Sequence, residues 1–189
     1  MAQPDQQSWA DAISMYERRY TIAKVTRRLH QNWALDVHTL MHEATEDHRG
    51  WRVNDPLVGE FERREDPFYP FADLPDGPEK AEAWLSHVTE IPRSSAKRFL
   101  VALSTPWLNV QRTPHFEQHK ADLERKADVI LSRFPEGSRF YANTGRDSAK
   151  LDYYQHIPGC DTVSVHTWDL GLVLVSDTEV GMVWSFDSK

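Results

Sequence analysis

A chain of 189 residues with a net charge of −7 and a pI near 5.7 can bury roughly 70% of its unfolded surface around one core of ordinary size, but it cannot supply two large domains. The charge excludes a general binder of nucleic acid or anionic membranes, which needs surplus Lys and Arg to displace phosphate counterions. One cysteine, Cys160, excludes a disulfide framework and a cysteine-cage zinc site. With no apolar leader in the first thirty residues and no apolar run near the ~18 residues of a membrane span, the chain reads as soluble and cytoplasmic.

From Ser8 to about His48 there is no Gly or Pro, and Trp9, Ile13, Tyr16, Tyr20 and Ala23 recur at the steps of an amphipathic helix. The stripe resumes with Val25, Leu29 and Trp33, then Val37, Leu40, Met41 and Ala44. One long helix, or two with a break near Ala34 to Asp36, is expected, with Gly50 as its stop. Residues 1–50 thus read as a helical N-terminal arm. Residues 51–96 read as an irregular connector with a short helix. Asp66-Pro67, Tyr69-Pro70, Leu74-Pro75 and Asp76-Gly77-Pro78 punctuate it, while Phe68, Tyr69 and Phe71 imply that it is ordered. Pro78 suits a first helical turn, followed by Ala81, Trp84, Leu85 and Val88 on one face up to Pro92.

Residues 97–189 alternate element types, the pattern of a layered α/β domain with a mixed sheet and flanking helices. Phe99 to Leu103 has the length of a buried strand. Thr113 and Pro114 can open a helix whose inner face is Phe116, Leu123, Ala127, Ile130 and Leu131, ending at Pro135-Glu136-Gly137. Arg139 to Ala142 is a second strand, and Asp147 or Ser148 can cap a short helix carrying Leu151 and Tyr154 up to Pro158-Gly159. Val163 and Val165 alternate with Ser164 and His166 as in a strand. The longest strands, Leu170 to Val175 and Val180 to Phe186, flank Ser176-Asp177-Thr178-Glu179. Their nearly unbroken apolar character places them in the middle of the sheet.

This order of elements, closed by a hairpin with an acidic turn, resembles one half of the phospholipase D-like superfamily over about residues 97–189. In that family the penultimate strand carries His-x-Lys-x4-Asp and the last ends in Gly-Ser-x-Asn. With Asp177 on the family's Asp, the His and Lys positions fall on Leu170 and Leu172, and the last motif falls on Trp184-Ser185-Phe186-Asp187. Only Asp177 and Ser185 survive. The resemblance therefore implies a domain without catalysis: Leu cannot attack phosphorus, and Asp187 would repel a phosphate that Asn would hold.

Two histidine pairs, His38 with His42 and His115 with His119, have the i, i+4 spacing that puts both imidazoles on one helix face, as a zinc site needs. If the two pairs met they would make a hydrolytic centre; solvated helix faces are the simpler reading. Arg18, Arg19, Lys24, Arg27 and Arg28 form a basic cluster whose simpler reading is a solvated face. Arg146 and Asp147 follow Asn143-Thr144-Gly145, but a lone Gly makes no phosphate loop. Gly-x-Ser-x-Gly, P-loop and dinucleotide fingerprints are absent. Cys160 reads as inert. Trp107, Trp168 and Trp184 read as core, whereas Trp51, Phe68, Tyr69 and Phe71, in irregular chain, read as a partner-binding surface. The expectation is a non-catalytic regulatory or protein-interaction domain without cofactor, its partner a protein or a second copy of itself. The alternative is an enzyme, either a zinc-dependent hydrolase built from the two histidine pairs or a phosphodiesterase using other groups. Neither a nucleic-acid partner nor a membrane is expected.

Overall fold

Two runs of consecutive apolar residues near the C-terminus can be buried only if both faces of their strands are covered, and this requirement organises the molecule. The computed structural model describes residues 4–17, 20–42, 47, 51, 59–144 and 151–187. Five strands, β1 (Thr21–Arg27), β2 (Thr89–Ile91), β3 (Arg139–Ala142), β4 (Asp169–Val175) and β5 (Glu179–Phe186), form one sheet in the order β1-β5-β4-β3-β2. The chain is α/β as expected, but among the described residues all four pairings are antiparallel, so the sheet is not the mixed one expected. β4 and β5 hold the inner positions expected of them. Ser176, not Asp177, ties their turn: its hydroxyl accepts from the amides of Thr178 and Glu179.

Six α-helices accompany the sheet among the described residues: α1 (Gln6–Ile13), α2 (Ala34–Met41), α3 (Glu60–Glu65), α4 (Pro78–Trp84), α5 (Arg93–Leu103) and α6 (Phe116–Ser132). Leu170, Leu172, Leu174 and Val183 share one core with α1, α5 and α6. Val173, Val175, Met182 and Trp184 share the other with α2, α4 and Phe71 of the connector. Period-two geometry sends alternate side chains of β4 and β5 into these two cores. Gly171 lets the layers close: a Cβ there would stand 1.9 Å from the Trp184 ring, which lies across β4 in that space. Among the described residues no helix is long and apolar enough to cross a membrane.

Four expected elements are corrected. The helix expected over Ser8 to His48 is broken by β1, in which Thr21, Ile22, Val25 and Thr26 are β-branched and lose less χ1 freedom in a strand than in a helix. Phe99 to Leu103 is the end of α5, buried on all sides, and a short apolar run carries no periodicity to tell a buried helix from a strand. Leu151 and Tyr154 lie in irregular chain, as do Val163 and Val165, although Ser164 bridges Phe71. Ala44, Gly50 and the caps Asp147 and Ser148 lie outside the described residues. The arm, connector and C-terminal segment are not separate layers, because β1, β2 and β3–β5 come from all three and share the sheet.

Candidate functional site

The first residue of β4, Asp169, is fully buried and receives five donors. Its Oδ1 accepts from Asn143 Nδ2 at 3.0 Å and from Trp184 Nε1 at 2.9 Å. Its Oδ2 accepts from the amides of Val163 and Ser164, at 3.3 and 3.1 Å, and from the Ser164 hydroxyl. Burial raises the Asp169 pKa above the ordinary carboxylate range, and the Ser164 hydroxyl and the Trp184 indole oppose that rise. A carboxylate so fully engaged has no lone pair left for a metal or a substrate proton. It acts as a clamp, fixing the loop that leads through Thr167 and Trp168 into β4.

Opposite that loop stands the connection from α5 to α6. Ser104 and Thr105 close α5 by donating their hydroxyls to Val101 O and Ala102 O. After Pro106, Trp107 and Leu108 take successive left-handed conformations, with φ of 54° and 52°, and His115 takes a third, φ 55°, before α6. Each such residue costs about 1–2 kcal/mol when it is not glycine. The step turns Leu108 inward, to 6% exposure, and Trp107 outward, to 58%. Asn109 then accepts the Gln111 amide at 3.0 Å, and Thr113 donates to Asn109 O, so the ridge is held from within.

Two clefts flank this ridge. The larger, about 620 Å³, is lined by Arg98, Gln111, Lys120, Asp152, Tyr154 and Gln155 among others, and these groups satisfy one another. Arg98 pairs with Asp152 at 2.8 Å, and Gln111 donates to Gln155 at 2.7 Å. Arg98 and Lys120 lie 5.1 and 5.4 Å from the centre of the Tyr154 ring. Burial, then the hydrogen bond to Glu124, pushes the Tyr154 phenol well above its ordinary range. The smaller cleft, about 400 Å³, lies between Trp107, Arg112, His156, Thr167, Trp168 and Asp187. Among the described residues, no side-chain hydrogen bond or ion pair engages Arg112, His156 or Asp187, and no cation lies over either indole. Aromatic faces, a cation, an imidazole and a carboxylate thus line one cleft, their side chains unpaired among the described residues.

The sequence-predicted site residues lie elsewhere. His38 and His42 both pack on Phe68, with ring centres 4.8 and 5.1 Å away, at α2. His115 and His119 are exposed at the start of α6, which packs on the other face of the sheet. The fold does not bring the two pairs together, and no group of three or more His, Cys, Asp or Glu placed to hold a metal occurs among the described residues. Trp51 and Phe71 are each 2% exposed, the first against Trp9 and Phe134, the second against Trp184 and Phe186. Phe68 and Tyr69 are half-buried, the first against the two α2 histidines and the second near His166, so the connector aromatics pack chiefly within the fold. In the basic cluster, Lys24 is buried and donates to His42 O, and Arg28 donates to Ser176 O; Arg18 and Arg19, like Arg146 and Asp147, lie outside the described residues. Burial pushes the Cys160 thiol up to about 11. Trp107, expected in the core, is the exposed one. Sequence reasoning missed the set Trp107, Arg112, His156 and Asp187, for which a Trp directly after Pro106, in the break between two predicted elements, was the available signal.

No family model, curated protein or solved structure matches the chain.

Proposed function

We propose that this chain is a non-catalytic protein-interaction domain that seats a segment of a partner protein in the cleft beside Trp107. The observation that carries the reading is Trp107 itself, a large indole turned into solvent by two left-handed residues in a connection held by its own hydrogen bonds. Trp and Arg are the side chains that most often anchor protein interfaces, and a cleft with a polar rim excludes water around such anchors. Val165, also 58% exposed, lies on the loop that carries Thr167 and Trp168. The phospholipase D-like alignment points the same way. Leu170 and Leu172, at the positions of that family's nucleophile and phosphate-binding lysine, are core residues with no chemistry to offer.

The test is quantitative capture from native lysate by the full chain, Trp107→Ala, and Tyr154→Phe in the other cleft. Loss of an anchor indole should reduce capture at least about tenfold, while circular dichroism shows an intact fold and Tyr154→Phe captures as the parent does. Retention by Trp107→Ala of every partner held by the parent would overturn the proposal.

A further inference from the structure

We infer that the cleft beside Trp107 receives a Lys or Arg side chain from a basic segment of the partner, an inference that rests on the protein-binding reading above. The molecule already places cations over its own aromatic faces. Indole and phenol rings attract cations electrostatically, indole most strongly. In this chain Arg133 lies 5.3 Å from the centre of the Trp51 ring, and Tyr154 carries both Arg98 and Lys120. Among the described residues, Trp107 and Trp168, the two rings of the smaller cleft, carry no cation, and Asp187 beside them makes no ion pair.

Surface charge favours the same occupant. The connector from Gly59 to Glu82 holds eight carboxylates and three cations, a net charge of −5 in a chain of −7. It abuts the loop that walls the cleft: Val165 N donates to Pro70 O, and Ala72 N and Asp73 N donate to Val163 O. A basic segment is steered to such a surface and an acidic one is repelled. Arg112 and His156 decide between a polypeptide and a small cation. Their N–H groups need acceptors, which backbone carbonyls on either side of an inserted Lys or Arg supply and a bare ammonium ion does not.

The experiment titrates the ¹⁵N-labelled full chain with hexa-arginine, hexa-glutamate and tetramethylammonium, following the indole N–H resonances of Trp107 and Trp168. Hexa-arginine should shift both saturably, more weakly as salt rises. Asp187→Asn should weaken that binding about fivefold, and Asp187→Glu should restore it. Shifts with hexa-glutamate but not hexa-arginine would overturn the inference in favour of an anion held by Arg112 and His156. Equal affinity for tetramethylammonium would overturn it in favour of a small-cation site. If hexa-arginine moves neither resonance while Trp107→Ala still loses the lysate partner, the cationic anchor is wrong and the protein-binding reading stands. If Trp107→Ala keeps the partner, both fall.

Discussion

The two clefts on either side of the α5–α6 ridge are built from the same residue types and differ in what those residues are bonded to. Around Tyr154 each cation already has a carboxylate or a ring, and Gln111 and Gln155 hold each other. A ligand entering there must break those contacts before it makes its own, and exchange of one hydrogen bond for another yields little net free energy. Around Trp107 nothing has to be broken among the described residues. The larger cleft, about 620 Å³ against about 400 Å³, is therefore the less available of the two. Internal pairing, more than size, separates a structural cleft from a receptive one.

The contrast depends on the Asp169 clamp, so the largest effect is expected from removing it. Asp169→Asn places an amide where five donors converge and leaves at least one of them buried without an acceptor. Destabilisation of about 2–4 kcal/mol should follow, read as a lower urea midpoint with unchanged slope. The Trp107 cleft should lose its Trp168 wall while the Tyr154 cleft keeps its pairs. Cys160, which bridges Thr144 behind the same loop, reports on that wall. With its thiol pushed up to about 11 by burial, it remains protonated where an ordinary thiol has begun to ionise. Its contribution to folding is full below the ordinary thiol pKa and declines as pH rises towards 11. Alkylation of the folded protein by iodoacetamide at pH 8 should be about 100-fold slower than that of the unfolded chain. The rate should climb with pH until near 11, and Asp169→Asn should return the profile towards that of a free thiol. An inflection near the ordinary value in the parent protein would mean that the loop is not held.

What the sequence discloses follows the same division between pattern and partnership. The hairpin was legible because Leu170 to Val175 and Val180 to Phe186 are apolar without interruption, and each strand gained only one residue in the fold. The inner face of α6 and the start of α4 at Pro78 were legible from spacing and from proline. β1 was not, because its residues are buried on both faces and so lack the alternation that marks a strand, while Tyr16, Tyr20 and Ala23 keep helical steps by coincidence. The candidate site was least legible. Nothing in Thr105-Pro106-Trp107-Leu108 states that φ turns positive, and the sign of that angle decides which of the two large apolar side chains faces the core. Asp169 before an apolar run likewise reads as an ordinary strand boundary until Asn143, Ser164 and Trp184 are brought to it.

The smallest expected effect isolates that sign. Trp107→Ala and Trp107→Gly both delete the indole, so both should lose the partner equally, but only Ala retains the cost of a left-handed backbone. Glycine also loses more entropy on folding, which removes part of its advantage. The Gly variant should still be the more stable by about 1 kcal/mol in urea denaturation, with Leu108 left-handed in both. A gap of that size would show that the fold tolerates strain in order to hold an indole in solvent, as a binding anchor requires. Equal stabilities would mean that the chain turns here without cost, and the outward position of Trp107 would then need no partner to account for it.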